Sequence, residues 1–308
     1  MADLILHRVR LASSDGFGRA VPLEPFALLI RQLQLLAAQA TVLAFRGTSA
    51  KPPRGAGFEE MLAMRLCDQA GDPATGDSIL TFGAPRLGEA APEVYGQSLI
   101  PGITDHRPPR EATCFDLLAA TLLDLIGGNQ DSPRLDQGLL HTVADMQGVF
   151  IPPHRFSALW LESRRHLGTP QEHAVVCAVT RVTCQTAAAW SAVIPEARIV
   201  RLTGRLDMVQ LSSASFVLTL DHNGGTVPGV VTDGDVHRLT GLLGRRITVI
   251  GRAIHRPSGR ILRLEAQGLA IHDGEGPQDD EDPANLVVIL DGPEEQGSGP
   301  VGMGSPGV

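Results

Sequence analysis

Lysine is almost missing from this chain of 308 residues: Lys51 is the only one, against 25 arginines. Tyrosine occurs once, tryptophan twice, and aromatic residues make up 4% of the chain. Sequence-tolerant single-strand binders stack bases on aromatic side chains, so this shortage weighs against that class. Cysteine is sparse as well. Cys67, Cys114, Cys177 and Cys184 contain no C-x-x-C pair, which excludes short-spaced zinc ribbons and a disulfide scaffold; all four sit in apolar segments and read as reduced core thiols. His166, His173, Cys177 and Cys184 lie near one another in sequence, but their spacings do not preset a tetrahedral site. The sequence predicts no metal and no cofactor.

Catalytic signatures are also missing. The one lysine lies in Gly47-Thr48-Ser49-Ala50-Lys51, which has no phosphate-cradling loop. Gly16-Phe17-Gly18 lacks the third glycine of a dinucleotide fingerprint, and Gly96-Gln97-Ser98-Leu99-Ile100 lacks the second glycine of a nucleophile elbow. Glu59-Glu60 and Asp105-His106 are adjacent pairs, whose side chains point apart on any regular element. Long apolar runs are absent too. Residues 1–10 meet His7, Arg8 and Arg10 at once, and residues 26–45 are broken by Arg31, Gln32, Gln34 and Gln39, whereas a bilayer span takes ~20 nearly uninterrupted apolar residues. The expectation is a cytoplasmic protein with no membrane contact.

What is present suffices for two cores. Apolar residues make up 43% of the chain and the net charge is −8, and the length suits about two domains of ~100–200 residues. Charge is unevenly spread: residues 1–197 carry −4, residues 198–272 carry +5, and residues 273–308 carry −9 with no base among them. This pattern predicts a mildly acidic body, a basic module and an acidic tail.

Periodicity fills in the body, residues 1–195, as α+β: helices packed on a small sheet, with the sheet drawn from residues 1–85 and a helical part over 111–192. Alternation predicts a strand over 4–11, and the stripe Phe26, Leu29, Ile30, Leu33, Leu36, Ala40 predicts a helix over 23–45. Two strands follow over 61–67 and 78–82, then an irregular crossing over 86–110. Helices are expected over 111–126, from a Ser132 cap with Pro133 at the first helical position to Gly148, and over 154–166. Residues 172–190 are ambiguous between strand and helix.

From residue 197 to 272 the order is three strands (199–208, 216–220, 226–231), a short helix over 235–243 capped by Asp233 or Asp235, and two strands (247–255, 261–271). His222-Asn223-Gly224-Gly225 supplies a hairpin turn and Pro257-Ser258-Gly259 a turn. This order resembles the OB-fold, a five-stranded Greek-key barrel. The resemblance covers a quarter of the chain and rests on element order, not on a signature motif; another small β-barrel is the alternative.

Alternation sends Val200, Leu202, Leu206 and Met208 into the barrel, with Arg201, Thr203, Arg205 and Asp207 outside. Likewise Ile247, Val249, Ala253, Leu262 and Leu264 fall inside, and Arg246, Arg252, Arg256 and Arg263 outside. The resemblance makes the first and fourth strands neighbours, which would gather Arg201, Arg205, Arg252 and Arg256 into one positive face. The turn between the last two strands adds Arg260 where OB-folds take ligands, and Phe216 is the module's single aromatic. Residues 273–308 are too polar to fold alone, so a disordered tail is expected. Within it Leu286, Val287, Val288, Ile289 and Leu290, guarded by acids on both sides, form a candidate strand-addition peptide for a partner or for the chain's own barrel; an incidental apolar patch is the competing reading. The expected function is a non-catalytic adaptor or complex subunit that recognises a protein or polyanionic partner. A salt-sensitive nucleic-acid binder is the alternative, and an enzyme with an unrecognised site in residues 1–195 the weaker one.

Overall fold

The computed structural model describes residues 3–13, 16–50, 56–96, 107–151, 156–165, 170–210, 214–222, 224–231 and 237–271. Two compact units emerge: Met1–Arg198 together with Ala253–Arg263, and Ile199–Arg252 together with Leu264–Val308.

The first unit runs β1 (Leu4–Ser13), α1 (Leu23–Arg46), α2 (Ala56–Met61), β2 (Arg65–Gly71), β3 (Ser78–Pro85), α3 (Leu87–Ala90), α4 (Pro92–Gly96), α5 (Cys114–Ile126), α6 (Gln137–Asp145), a 3-10 turn (Met146–Phe150), β4 (Phe156–Arg165), β5 (His173–Thr180) and α7 (Arg181–Val193). The strands form an antiparallel sheet in the order β2-β3-β1-β4-β5. Period-two alternation along β1 buries His7, Val9 and Leu11, opposite Phe82, Leu80 and Ser78 of β3. The same cluster of buried residues holds Leu29, Leu33 and Leu36 of α1, Phe115 and Leu118 of α5 and Val143 of α6. Helix α1 ends as its sequence dictates: Gly47 takes φ 67° and its N–H caps the Leu43 carbonyl, a left-handed terminus that costs glycine nothing. By length and composition α1 is the one helix among the described residues that could cross a membrane.

Three expectations need correction. Residues 156–165 are a strand, not a helix. Their Leu, Ala, Glu and Arg content favours helix, but β4 lies between β1 and β5 and pairs with both, so long-range pairing overrides local propensity. The sheet therefore takes two of its strands from a stretch expected to be helical. Helix α6 starts at Gln137, with Asp136 as its cap through Leu139 N–H at 2.9 Å; Ser132 is buried and donates to Asp124 Oδ2 at 2.6 Å instead. Residues 61–67 run from the end of α2 at Met61 through a connection to the start of β2 at Arg65. The ambiguous stretch 172–190 contains both a strand and a helix.

A closed barrel is formed by β6 (Arg198–Gln210), β7 (Ser215–Leu220), β8 (Thr226–Val231), β9 (Arg246–His255) and β10 (Ile261–Ile271), in the order β10-β8-β7-β6-β9; most of it belongs to the second unit, while the end of β9 from Ala253 and the start of β10 up to Arg263 group with the first. β6–β7 and β7–β8 are antiparallel, whereas β8 and β10 run parallel with Leu264 opposite Gly229. The barrel is compatible with an OB-like fold. A short helix, α8 (His237–Thr240), occupies part of the segment expected to be helical; Asp233 and Asp235 lie outside the described residues.

Leu206, Phe216, Leu218, Ile247, Val249 and Leu264 fill the barrel. Phe216 sits opposite Gly229, and a Cβ there would overlap the ring, so the aromatic side chain requires glycine as its neighbour. The pairing of β6 with β7 slips between Leu206 and Met208. This bulge reverses the parity of the strand: Val209 is buried and Met208, expected inside, is only half-buried. Arg263, expected outside, is buried and donates to the Arg46 carbonyl at 3.0 Å.

Candidate functional site

The basic face of the barrel is set by how β6 meets β9. Thr203 and Thr248 hydroxyls lie 2.7 Å apart, and Leu206 N–H donates to the Arg245 carbonyl at 3.0 Å, so the two strands run in opposite directions. Alternation then carries Arg201 and Arg205 to the same outer side as Arg246 and Arg252. Two of these four guanidiniums are engaged locally: Arg205 Nε lies 3.2 Å from Asp207 Oδ1, and Arg246 Nε 2.6 Å from Asp221 Oδ2. Asp207 also accepts from the Thr219 hydroxyl. Arg201 and Arg252 are exposed and form no ion pair among the described residues. The strip thus keeps two uncompensated positive charges beside two compensated ones.

The other sequence-chosen residues do not join it. Arg256 donates from Nη1 to the Asp131 carbonyl, Ser258 from Oγ to Asp131 Oδ1 at 2.5 Å, and Arg260 Nη1 lies 3.3 Å from Asp131 Oδ2. With Arg263, these residues belong to the segment that groups with the first unit. Phe216 is interior and presents no stacking face. Leu286, Val287, Val288, Ile289 and Leu290 lie outside the described residues. Alternation puts Arg246 outside although the expected face did not include it, and its parity with Arg252 is the signal that adds it. The partners Asp207, Asp221 and Asp131 carried no such signal, because pairing across strands and loops is not written in local spacing.

The first unit holds a polar cluster of a different kind. Thr113 caps α5, and Asp116 accepts from Thr113 N at 2.9 Å, Thr113 Oγ1 at 2.9 Å, Ser163 Oγ at 2.7 Å, Arg164 N at 3.2 Å and Arg164 Nη2 at 2.8 Å. His7 Nε2 lies 2.9 Å from Thr113 Oγ1. Burial works against ionisation of Asp116, but the attraction to His7 first, then the bond from Ser163 and the charge and bond of Arg164, outweigh it and hold the carboxyl below its usual range. Burial likewise keeps His7 below the ordinary imidazole value. Ser, His and Asp are all present, but Thr113 stands between His7 and Asp116, and Ser163 bonds the carboxylate directly. All four side chains are buried, leaving no position for a reacting atom beside a nucleophile and base. The cluster ties α5 to β1 and β4.

Elsewhere in this unit, His141 Nε2 lies 3.1 Å from Ser191 Oγ, joining α6 to α7. An apolar cavity of about 140 Å³ is lined by Phe26, Ile30, Leu33, Met64, Phe82 and Phe115 among others. Burial pushes the thiols of Cys114, Cys177 and Cys184 up to about 12, far from a reactive thiolate; Cys67 is exposed. No group of three His, Cys, Asp or Glu stands ready for a metal among the described residues. Asp105 and His106 lie outside them.

Comparison with protein-family models, with curated proteins and with solved structures finds no match to this chain.

Proposed function

We propose that this protein is a non-catalytic adaptor or complex subunit whose OB-like barrel recognises an acidic protein segment through the β6/β9 arginine strip. The observation that carries this reading is the pair Arg201 and Arg252, exposed on one face with no ion pair among the described residues. Neighbouring arginines on the same face have their own carboxylates, so the uncompensated charge is concentrated where a polyanion can collect it. The OB-like reading of the barrel is supported by its strand order, in which the first strand neighbours the fourth and the third runs parallel to the fifth. An acidic peptide is favoured over single-stranded nucleic acid because Phe216 is interior and the strip offers no aromatic platform.

The test is fluorescence anisotropy of the full chain with labelled polyglutamate, single-stranded DNA and duplex DNA at low and high salt. Polyglutamate should bind more tightly than either DNA, and R201E/R252E should weaken it by about tenfold or more. Stronger DNA binding would turn the assignment to the nucleic-acid alternative. Polyglutamate affinity that ignores R201E/R252E would remove the strip from the proposal.

A further inference from the structure

One end of the strip lies beside the last described residues of β10, and the sequence that follows them carries the charge the strip would select. β10 returns along β9 from a turn closed by Arg256 N–H donating to the Arg260 carbonyl at 2.8 Å. The last described residue of β10, Ile271, therefore lies at the Arg246 end of β9. Beyond it the sequence carries nine acids and no base over residues 273–308, with four consecutive acids at Asp279, Asp280, Glu281 and Asp282. We propose that this acidic segment of the same chain occupies the Arg201/Arg252 strip and competes with any external polyanion for it. The inference rests on the reading of the strip as a polyanion site and names what regulates it.

Reach and charge both fit. Arg252 is six residues along β9 from Arg246, about 20 Å at the strand rise. Asp279 is eight residues beyond Ile271, and an extended chain of that length spans about 28 Å. The four-acid run can thus arrive at Arg201 and Arg252 without any strand leaving the barrel. Tethering raises its effective concentration toward the millimolar range, so even a weak exposed charge contact becomes a competitor for a partner arriving from solution. Asp207 and Asp221 hold Arg205 and Arg246, so a segment leaving Ile271 passes compensated charges first and meets the uncompensated ones farther along. Such a contact is screened by salt.

The experiment keeps the full chain and neutralises the segment by D279N/D280N/E281Q/D282N. A labelled synthetic peptide of residues 273–295 is titrated into this variant, with and without R201E/R252E. Saturable binding at low salt, lost at high salt and weakened about tenfold by R201E/R252E, is the expected result; no binding, or binding indifferent to the arginines, overturns the proposal. Labelled polyglutamate is titrated into wild type and the neutralised variant in parallel. Its affinity should rise about tenfold on neutralisation. Equal affinities, both dependent on Arg201 and Arg252, overturn the internal competitor and leave the strip's function standing. Peptide 273–295 binding while polyglutamate does not bind the neutralised variant leaves the internal contact standing and overturns the external acidic peptide.

Discussion

His7 shows how one side chain couples a buried network to pH. Its ring stacks on Phe115 with centroids 5.0 Å apart, and Nε2 meets Thr113 Oγ1. Burial lowers its pKa despite the opposing pull of Asp116. In the unfolded chain the imidazole titrates near 6.5. Below about that pH the unfolded state takes up a proton that the folded state refuses, so stability falls as pH falls through this window. Asp116, whose carboxyl is held below its usual range, adds a second loss at lower pH, when it is finally protonated. His7→Asn removes the first contribution and reduces the second, which lies at lower pH, because His7 is one of the groups that hold the Asp116 carboxyl down. Urea unfolding between about pH 7 and pH 5 should show a smaller change in midpoint for His7→Asn than for the parent chain. A residual slope should remain from His255, which is also shifted down, by burial first and then by Arg198. An unchanged slope would mean that His7 is not titrating differently in the two states. Gly229 gives a steric counterpart. A methyl group there meets the Phe216 ring, and overpacking of this kind costs about 1–3 kcal/mol. Gly229→Ala should lower the barrel's stability by that amount, while Gly229→Ala combined with Phe216→Leu should recover part of it.

At the scale of elements, what the sequence shows depends on whether the deciding interaction is local. Helix α1 was legible because its apolar stripe and Gly47 lie within one stretch of chain, and β7 and β8 because alternation and a glycine turn adjoin. β4 was not legible: its composition reads as helix, and only the pairing of Leu161 with Val9 on one side and Cys177 on the other makes it a strand. The β6 bulge was hidden for the same reason, since parity changes with the partner's register. The arginine strip was half legible. Alternation identified Arg201 and Arg252, but only the arrangement in space separates them from Arg256 and Arg260, which Asp131 engages. Asp136 is another long-range choice. Its carboxylate caps α6 and also accepts from Ser49 N at 2.7 Å and Ser49 Oγ at 2.6 Å, so it anchors the chain that follows α1. Loss of an N-cap costs about 0.5–2 kcal/mol. Asp136→Ala should reach the upper part of that range, because Ser49 loses its partners while remaining buried. Asp136→Asn should cost less, since the amide oxygen still accepts from one N–H. Equal losses for the two variants in urea unfolding would contradict the capping account.

For the molecule as a whole, the chain path decides which pieces can stand alone. The first unit is not contiguous: it ends at Arg198 and resumes for Ala253–Arg263. That short return supplies Leu262 to the main core cluster, with Ile254 packed against it. It also brings Arg263 to the Arg46 carbonyl and Arg256 and Ser258 to Asp131. A single cut between the acidic body and the basic module, natural from charge distribution alone, therefore removes part of the body's own core. Truncating one buried leucine costs about 2–5 kcal/mol, a large share of the 5–15 kcal/mol that usually holds a domain. A fragment of residues 1–198 should consequently unfold at a clearly lower urea concentration than the same residues within the full chain, and should be cleaved faster by protease under native conditions. Leu262→Ala in the full chain should move the first unit's transition in the same direction by a smaller amount, because the hydrogen bonds to Arg46 and Asp131 are retained. A fragment as stable as the intact protein would show that the returning segment only rests on a unit already complete without it.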